Sequence, residues 1–141
     1  ASSAQTVATE DLEGAVRDAD IICTATMSRA PVIRGAWLRP GQHLDLIGAF
    51  RPDMREADDD ALCRAALFVD SRETTIEHIG ELKNPIARGV ITARDVRGDF
   101  YDIASGEYAR PNPDAITIAK NGGGAHLDLM TARYIYDVWT K

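Results

Sequence analysis

Asp20-Ile21-Ile22-Cys23-Thr24-Ala25-Thr26 decides how the rest of the chain is read. The run is short, continuously apolar and closes in small polar residues. It is too brief for a helix, and its lack of alternation predicts a strand buried on both faces, as parallel sheets require. Working outward, Thr9 is placed to cap a helix carrying Leu12, Ala15 and Val16 on one side, a pattern that Asp20 ends. Pro31, Gly35, Pro40 and Gly41 punctuate the stretch that follows as loop and turn. His43-Leu44-Asp45-Leu46-Ile47-Gly48-Ala49 is a second strand, and a helix over Asp58 to Ala66 sets Ala61, Leu62, Ala65 and Ala66 on one face. Leu67-Phe68-Val69-Asp70 is a third strand. Thr74 to Gly80 is expected as a short helix stopped by its glycine.

Residues 84 to 109 are turn-rich, with short helical pieces. The last strand is Ile116 to Lys120. Asn121-Gly122-Gly123-Gly124 then leads into a helix from about Ala125 to Val138, with Leu127, Met130, Ala132, Ile135 and Val138 for its buried side. Strands alternate with helices at spacings too long for hairpins, so the fold class is α/β, a parallel sheet with right-handed crossovers.

With 141 residues the chain makes one domain, and 45% apolar with 27% charged residues is ordinary globular composition. A net charge of -6, with arginines scattered among acids, argues against a nucleic-acid partner, which needs a basic patch. No apolar run approaches the roughly 18 residues of a membrane span, and Ala1 to Thr9 lack the basic start of a signal peptide. Cys23 and Cys63 are expected as reduced core or near-core thiols, which fits a cytoplasmic protein. His43 and His78 have no partners at metal-ligand spacing, so no metal is assigned. Asp58-Asp59-Asp60 suits a helix N-terminus, and Trp37 and Trp139 are expected as packing anchors.

In open α/β sheets ligands sit beyond the carboxyl ends of the strands. Those ends here carry Thr24, Ala25 and Thr26; Gly48, Ala49 and Phe50; Asp70 and Ser71; and Asn121, Gly122, Gly123 and Gly124. Small residues let a flat ring approach the backbone, and Thr26, Ser71 and Asn121 offer hydrogen bonds. Turns need the same residue types, so pattern alone leaves binding and turn formation both open. The three glycines before a helix are either an anion site or a tight turn, and they match neither phosphate-loop pattern, because neither G-x-x-x-x-G-K-[ST] nor G-x-G-x-x-G is present. His126, in the last helix's first turn, is a general acid-base candidate or a plain surface residue.

Several segments together resemble the ornithine cyclodeaminase/mu-crystallin family: residues 20–26 with Pro31-Val32, Pro40-Gly41-Gln42-His43, Ile47 to Glu56, Leu67 to Ser71, and Ile116 to Ala125. The resemblance implies an incomplete Rossmann-like doubly wound sheet, with the first strand and the glycine-rich turn absent from this chain. Residues 1–141 would be the C-terminal portion of an NAD(P)-binding domain. Its final helix would pack toward an N-terminal dimerisation and substrate domain, through which a homodimer is expected. NAD(P)H contacts carry over to Thr24, Ala25, Thr26, Gly48, Ala49, Phe50, Asp70, Ser71, Asn121, Gly122 and Gly123. The substrate would be an imino or amino acid, and most catalytic residues would lie outside this chain.

Two departures matter. Family cyclodeaminases have an aspartate where this chain has Phe50 and a lysine where it has Met54. The resemblance is therefore nearest to the family's reductases of Δ1-pyrroline-2-carboxylate or Δ1-piperideine-2-carboxylate. An ornithine cyclodeaminase and a non-catalytic, mu-crystallin-like binding protein are the alternatives. Phe50 either forms part of an apolar wall over the nicotinamide or merely packs at its strand end.

Overall fold

Five short strands form one sheet in which every neighbouring pair is parallel: β1 (Ile21–Thr24), β2 (His43–Leu46), β3 (Ala66–Val69), β4 (Val96–Gly98) and β5 (Thr117–Lys120). Their order is β1-β2-β5-β3-β4, so the last strand in sequence lies in the middle of the sheet. The structure is a computed structural model and describes residues Ala4 to Thr140, apart from the side chain of His126. The chain is α/β with a parallel sheet, as its alternation of strands and helices predicts, and Rossmann-like, as the family resemblance implies.

Strand side chains alternate between the sheet's faces, and the two faces differ sharply. Ile22, Leu44, Leu46, Leu67, Val69 and Ile118 form one buried face. Against it pack α1 (Leu12–Asp18) through Val16, α2 (Asp59–Arg64) through Ala61 and Leu62, and α4 (Gly80–Ala87) through Leu82. On the other face Phe68 and Thr117 are buried, while Ile21 is 70% exposed and Cys23 is also exposed. Coverage here comes from the segment before β5: the Tyr108 ring lies 4.9 Å from that of Phe68 and 5.7 Å from that of Phe100. Arg110 ties the segment down, donating to Gly41 O at 2.8 Å and Thr117 Oγ at 3.2 Å.

Several expectations are corrected. β1 is not buried on both faces, because among the described residues it has β2 on one side only and nothing over Ile21 and Cys23. Neither cysteine is in the core. The Cys23 thiol faces Asp45 on the open face, and Cys63 lies on the exposed side of α2. Asp11, not Thr9, caps α1, accepting from Gly14 N at 2.9 Å; Thr9 accepts instead from Asp11 N. The helix expected over 74–80 is the single turn α3 (Arg72–Thr75), and Gly80 starts α4 rather than stopping its predecessor. A Cβ on Gly80 would meet Pro52 O at 2.4 Å and Met54 O at 2.5 Å, so the glycine marks a close backbone approach. The region from 84 to 109 holds the end of α4 and a strand, β4, as well as turns.

The final helix, α5 (Ala125–Trp139), forms as expected, but its apolar residues are not covered. Met130, Ile135 and Val138 are all exposed, and Trp139, at 87% exposed, anchors nothing among the described residues. Trp37 does pack against the core, with the Arg34 guanidinium 5.5 Å from its ring centroid. No helix among the described residues is long and apolar enough to cross a membrane.

The Asp58-Asp59-Asp60 run starts α2 as predicted, and its first member does two jobs. Asp58 Oδ1 accepts from Ala61 N at 2.9 Å, capping the helix, and from Gly35 N at 2.8 Å, holding the loop after β1 against it. Asp58→Ala is expected to cost about 1–2 kcal/mol, read as a lower urea midpoint at unchanged slope. An unchanged midpoint would count against this double role.

Candidate functional site

The carboxyl ends of β1, β2, β5 and β3 lie side by side along one rim of the sheet, in that order. This brings together Thr24 to Thr26, Gly48 to Phe50, Asn121 to Gly123, and Asp70 with Ser71. The triple-glycine stretch is a turn: Asn121 Oδ1 accepts from Gly123 N at 2.8 Å, and Gly123 adopts a left-handed φ of 76°, which glycine tolerates freely. Asp70 is buried, and its Oδ1 accepts from Ser71 N at 2.8 Å. Between the ends of β3 and β5 lies a cleft of about 310 Å³, lined by Asp70, Ser71, Phe100, Tyr101, Gly123 and Gly124 among others. Its lining combines small residues with the rings of Phe100 and Tyr101. His126 starts α5 beside the rim, but its side chain lies outside the described residues.

Charges buried under the rim were not foreseen. Glu56 is fully buried. Its Oε1 accepts from Thr26 N and Thr26 Oγ, both at 2.8 Å. Its Oε2 accepts from Gly48 N at 2.8 Å and Ala49 N at 3.2 Å. One carboxylate thus joins the ends of β1 and β2. Glu81, from α4, is equally buried and accepts from Glu56 N at 2.7 Å and Ala57 N at 3.0 Å. Lys120, at the end of β5, is 1% exposed and donates from Nζ to Leu46 O at 2.8 Å.

The amides of Thr26, Gly48 and Ala49 and the Thr26 hydroxyl therefore point inward at Glu56, and Ala49 is itself fully buried. The Thr24 hydroxyl is also buried; it makes no bond of good hydrogen-bond geometry, yet it lies close enough to Glu56 to help hold that carboxyl charged. Phe50 is 54% exposed at the rim, so it does not pack into the protein at its strand end. Met54 is buried with Ala49 and Ile79 and is a core residue.

These charges titrate in different directions. Burial alone would raise the Glu56 carboxyl, but the bonds from the Thr26 amide and hydroxyl and the Ala49 amide outweigh it and hold it below the usual carboxylate range. Burial pushes Glu81 up, against the Glu56 and Ala57 amides and the charges of Arg55 and Lys120. Burial likewise pulls Lys120 down, against Glu81 and Glu56. Among the described residues no group of three or more His, Cys, Asp or Glu could hold a metal. The signal available in sequence was a lone lysine closing the apolar strand Ile116 to Lys120, on the same parity as Ile118.

Because the folded pKa of Glu56 is depressed, its stabilisation is present above the unfolded value of about 4.3 and is lost as pH falls through the folded value. The stability gap between wild type and Glu56→Gln should be widest near neutrality and shrink below about pH 4. A gap independent of pH in denaturation curves would contradict it. Lys120→Met removes a buried charge that acts on Glu81 and Glu56 and the bond to Leu46 O, and should cost about 1.5–3 kcal/mol, measured by the same curves at pH 7.

Comparison with known proteins agrees with this geometry. The family model described as ornithine cyclodeaminase/mu-crystallin family matches residues 1–141. A Δ1-pyrroline-2-carboxylate reductase of Paracoccus denitrificans (strain Pd 1222) is 63% identical over 133 residues, 94% of this chain and 42% of the relative. The structure of Thermococcus litoralis Δ1-pyrroline-2-carboxylate reductase in complex with NADH and L-proline superposes with a TM-score of 0.82 at 32% identity, covering 92% of this chain and 40% of that one. An archaeal alanine dehydrogenase dimer with bound NAD gives 0.80 at 32% identity, over 91% and 40%. The chain thus spans about two fifths of the length of the relatives it matches. From its matched segments to its parallel sheet, the chain belongs to the ornithine cyclodeaminase/mu-crystallin family.

Proposed function

We propose that this chain is the dinucleotide-handling part of an NAD(P)H-dependent reductase of a cyclic imino acid, with Δ1-pyrroline-2-carboxylate reduced to proline as the leading reaction. The observation that carries the reading is the 63% identity, over 94% of this chain, to a relative named for that activity. A similar fold seen with NADH and L-proline supports it. So does Phe50, which cannot accept a proton or hold a charge where family cyclodeaminases place an aspartate.

What NAD(P)H supplies when bound is a hydride for the imine carbon. The ring nitrogen takes up a proton. On this chain the rim residues Thr24, Ala25, Thr26, Gly48, Ala49, Asp70, Ser71, Asn121, Gly122 and Gly123 hold the dinucleotide. Small side chains let its rings approach the backbone there. Phe50 supplies apolar surface that excludes water from the reacting face. The groups that bind the substrate carboxylate and deliver the proton are assigned to parts of the protein outside residues 1–141. The covered face of α5 and a homodimer contact are assigned to the same parts, in a cytoplasmic enzyme.

The test is oxidation of NADH and of NADPH by the complete protein with Δ1-pyrroline-2-carboxylate, with ornithine as the control substrate. Turnover of the imine without ammonia release from ornithine is expected; the reverse pattern would overturn the reading. Phe50→Asp should lower reductase kcat/KM by roughly ten- to a hundredfold, the cost of placing a charge against a dry reacting face. Unchanged kinetics would remove Phe50 from the site.

A further inference from the structure

We propose that Glu56 is the positioning residue of the dinucleotide site: its carboxylate sets the shape of the rim by consuming the inward donors of both strand-end loops. The inference rests on the dinucleotide-binding reading above and deepens it. Glu56 lies on neither strand, yet Thr26 N and Oγ reach one of its oxygens, and Gly48 N and Ala49 N reach the other, at 2.8 to 3.2 Å.

The two loops are also in direct contact. A Cβ on Gly48 would stand 2.0 Å from Thr26 O and 2.4 Å from Glu56 Oε1, so the two loops and the carboxylate approach too closely there for any larger residue. The carboxylate is itself immobilised. Glu81 accepts from the amides of Glu56 and Ala57, while Val32 N and Ile33 N both donate to Glu56 O. Its backbone is therefore fixed from two directions, and its side chain has a single place to go.

The chemical requirement is specific. Three of the four donors are backbone amides, which can only donate. A carboxylate meets them with two accepting oxygens. Glutamine has the same shape but one accepting oxygen, so its NH₂ must face either Thr26 N or the Gly48 and Ala49 amides. Donor then meets donor, and one loop must turn away. A turned loop exposes amides along a rim where they otherwise point inward. Glu56 touches no ligand; its effect passes through Thr26, Gly48 and Ala49.

The experiment compares wild type, Glu56→Gln and Glu56→Ala by amide hydrogen exchange and by fluorescence titration of NADH into the complete protein. Exchange in peptides spanning 24–26 and 47–50 should rise about tenfold or more in both variants, the factor implied by one lost charge-assisted hydrogen bond, with the β3 peptide unchanged. The dissociation constant for NADH should rise by a similar factor, and in turnover KM for NADH should rise more than kcat falls. If Glu56→Ala does not fold, the isosteric Glu56→Gln carries the comparison alone. Faster exchange throughout, β3 included, would reduce Glu56 to a general stabiliser and overturn the proposal. So would local loosening with NADH affinity unchanged. Wild-type protein that binds neither NADH nor NADPH is told apart from both, because it appears before any substitution; it removes the dinucleotide reading and this inference with it, and if only NADPH binds, the titration is run with NADPH.

Discussion

A buried carboxylate is costly unless its lone pairs are filled, and Glu56 fills them with donors from the ends of two different strands. The rest of the rim depends on that solution. Strand ends in a parallel sheet leave amides short of partners in the ladder, and burying them unpaired is itself costly. Glu56 cancels both problems at once. Glu81 repeats the device one layer down, accepting from the amides of Glu56 and Ala57. Arg55 and Lys120 supply positive charge, and Lys120 donates to Leu46 O, joining β5 to the cluster. Charge under the rim turns the strand-end amides inward, and that arrangement suits a ring stacked on small side chains better than a rim of outward-pointing donors.

The sheet is finished on one face and open on the other. Leu44, Leu46, Leu67, Val69 and Ile118 are sealed by α1, α2 and α4. The opposite face grades from buried Phe68 at β3 to exposed Ile21 and Cys23 at β1. That gradient follows the reach of the segment carrying Tyr108 and Arg110, which covers the sheet only as far as β5 and β3. Exposed Met130, Ile135 and Val138 on α5 add a second uncovered apolar surface.

Strand positions were readable because each is an apolar run bounded by turn residues, and the rim residues were readable because ligands of open sheets gather at strand ends. Residues 24–26, 48–50, 70–71 and 121–123 do share that rim. The burial of Ile21 and Cys23 was misread because an apolar run looks the same whether or not something covers its second face. β4 was missed because Val96-Arg97-Gly98 carries a charge and a glycine and has one neighbour. Gly80 reads in sequence as a helix stop, but a glycine's role depends on which backbone approaches it, here residues 52 and 54. Glu56 and Glu81 were invisible for a related reason. Acids in a stretch such as Arg51 to Asp60 look like surface charge, and what makes them structural is donors up to 30 residues away. The Thr26, Gly48 and Ala49 amides looked free for a ligand until the carboxylate that occupies them was placed.

Insertion of β5 between β2 and β3 has a consequence for how the chain assembles. β1 can pair with β2, and β3 with β4, before β5 has been made, but each pair then carries an unfilled edge facing the place of β5. His43 finds Thr117, 74 residues later, only when the final strand arrives. Loop closure over that distance is slow compared with local pairing. During synthesis two half-sheets must wait with bare edges until residue 120 has left the ribosome, and in that interval the chain is most exposed to pairing with a neighbour.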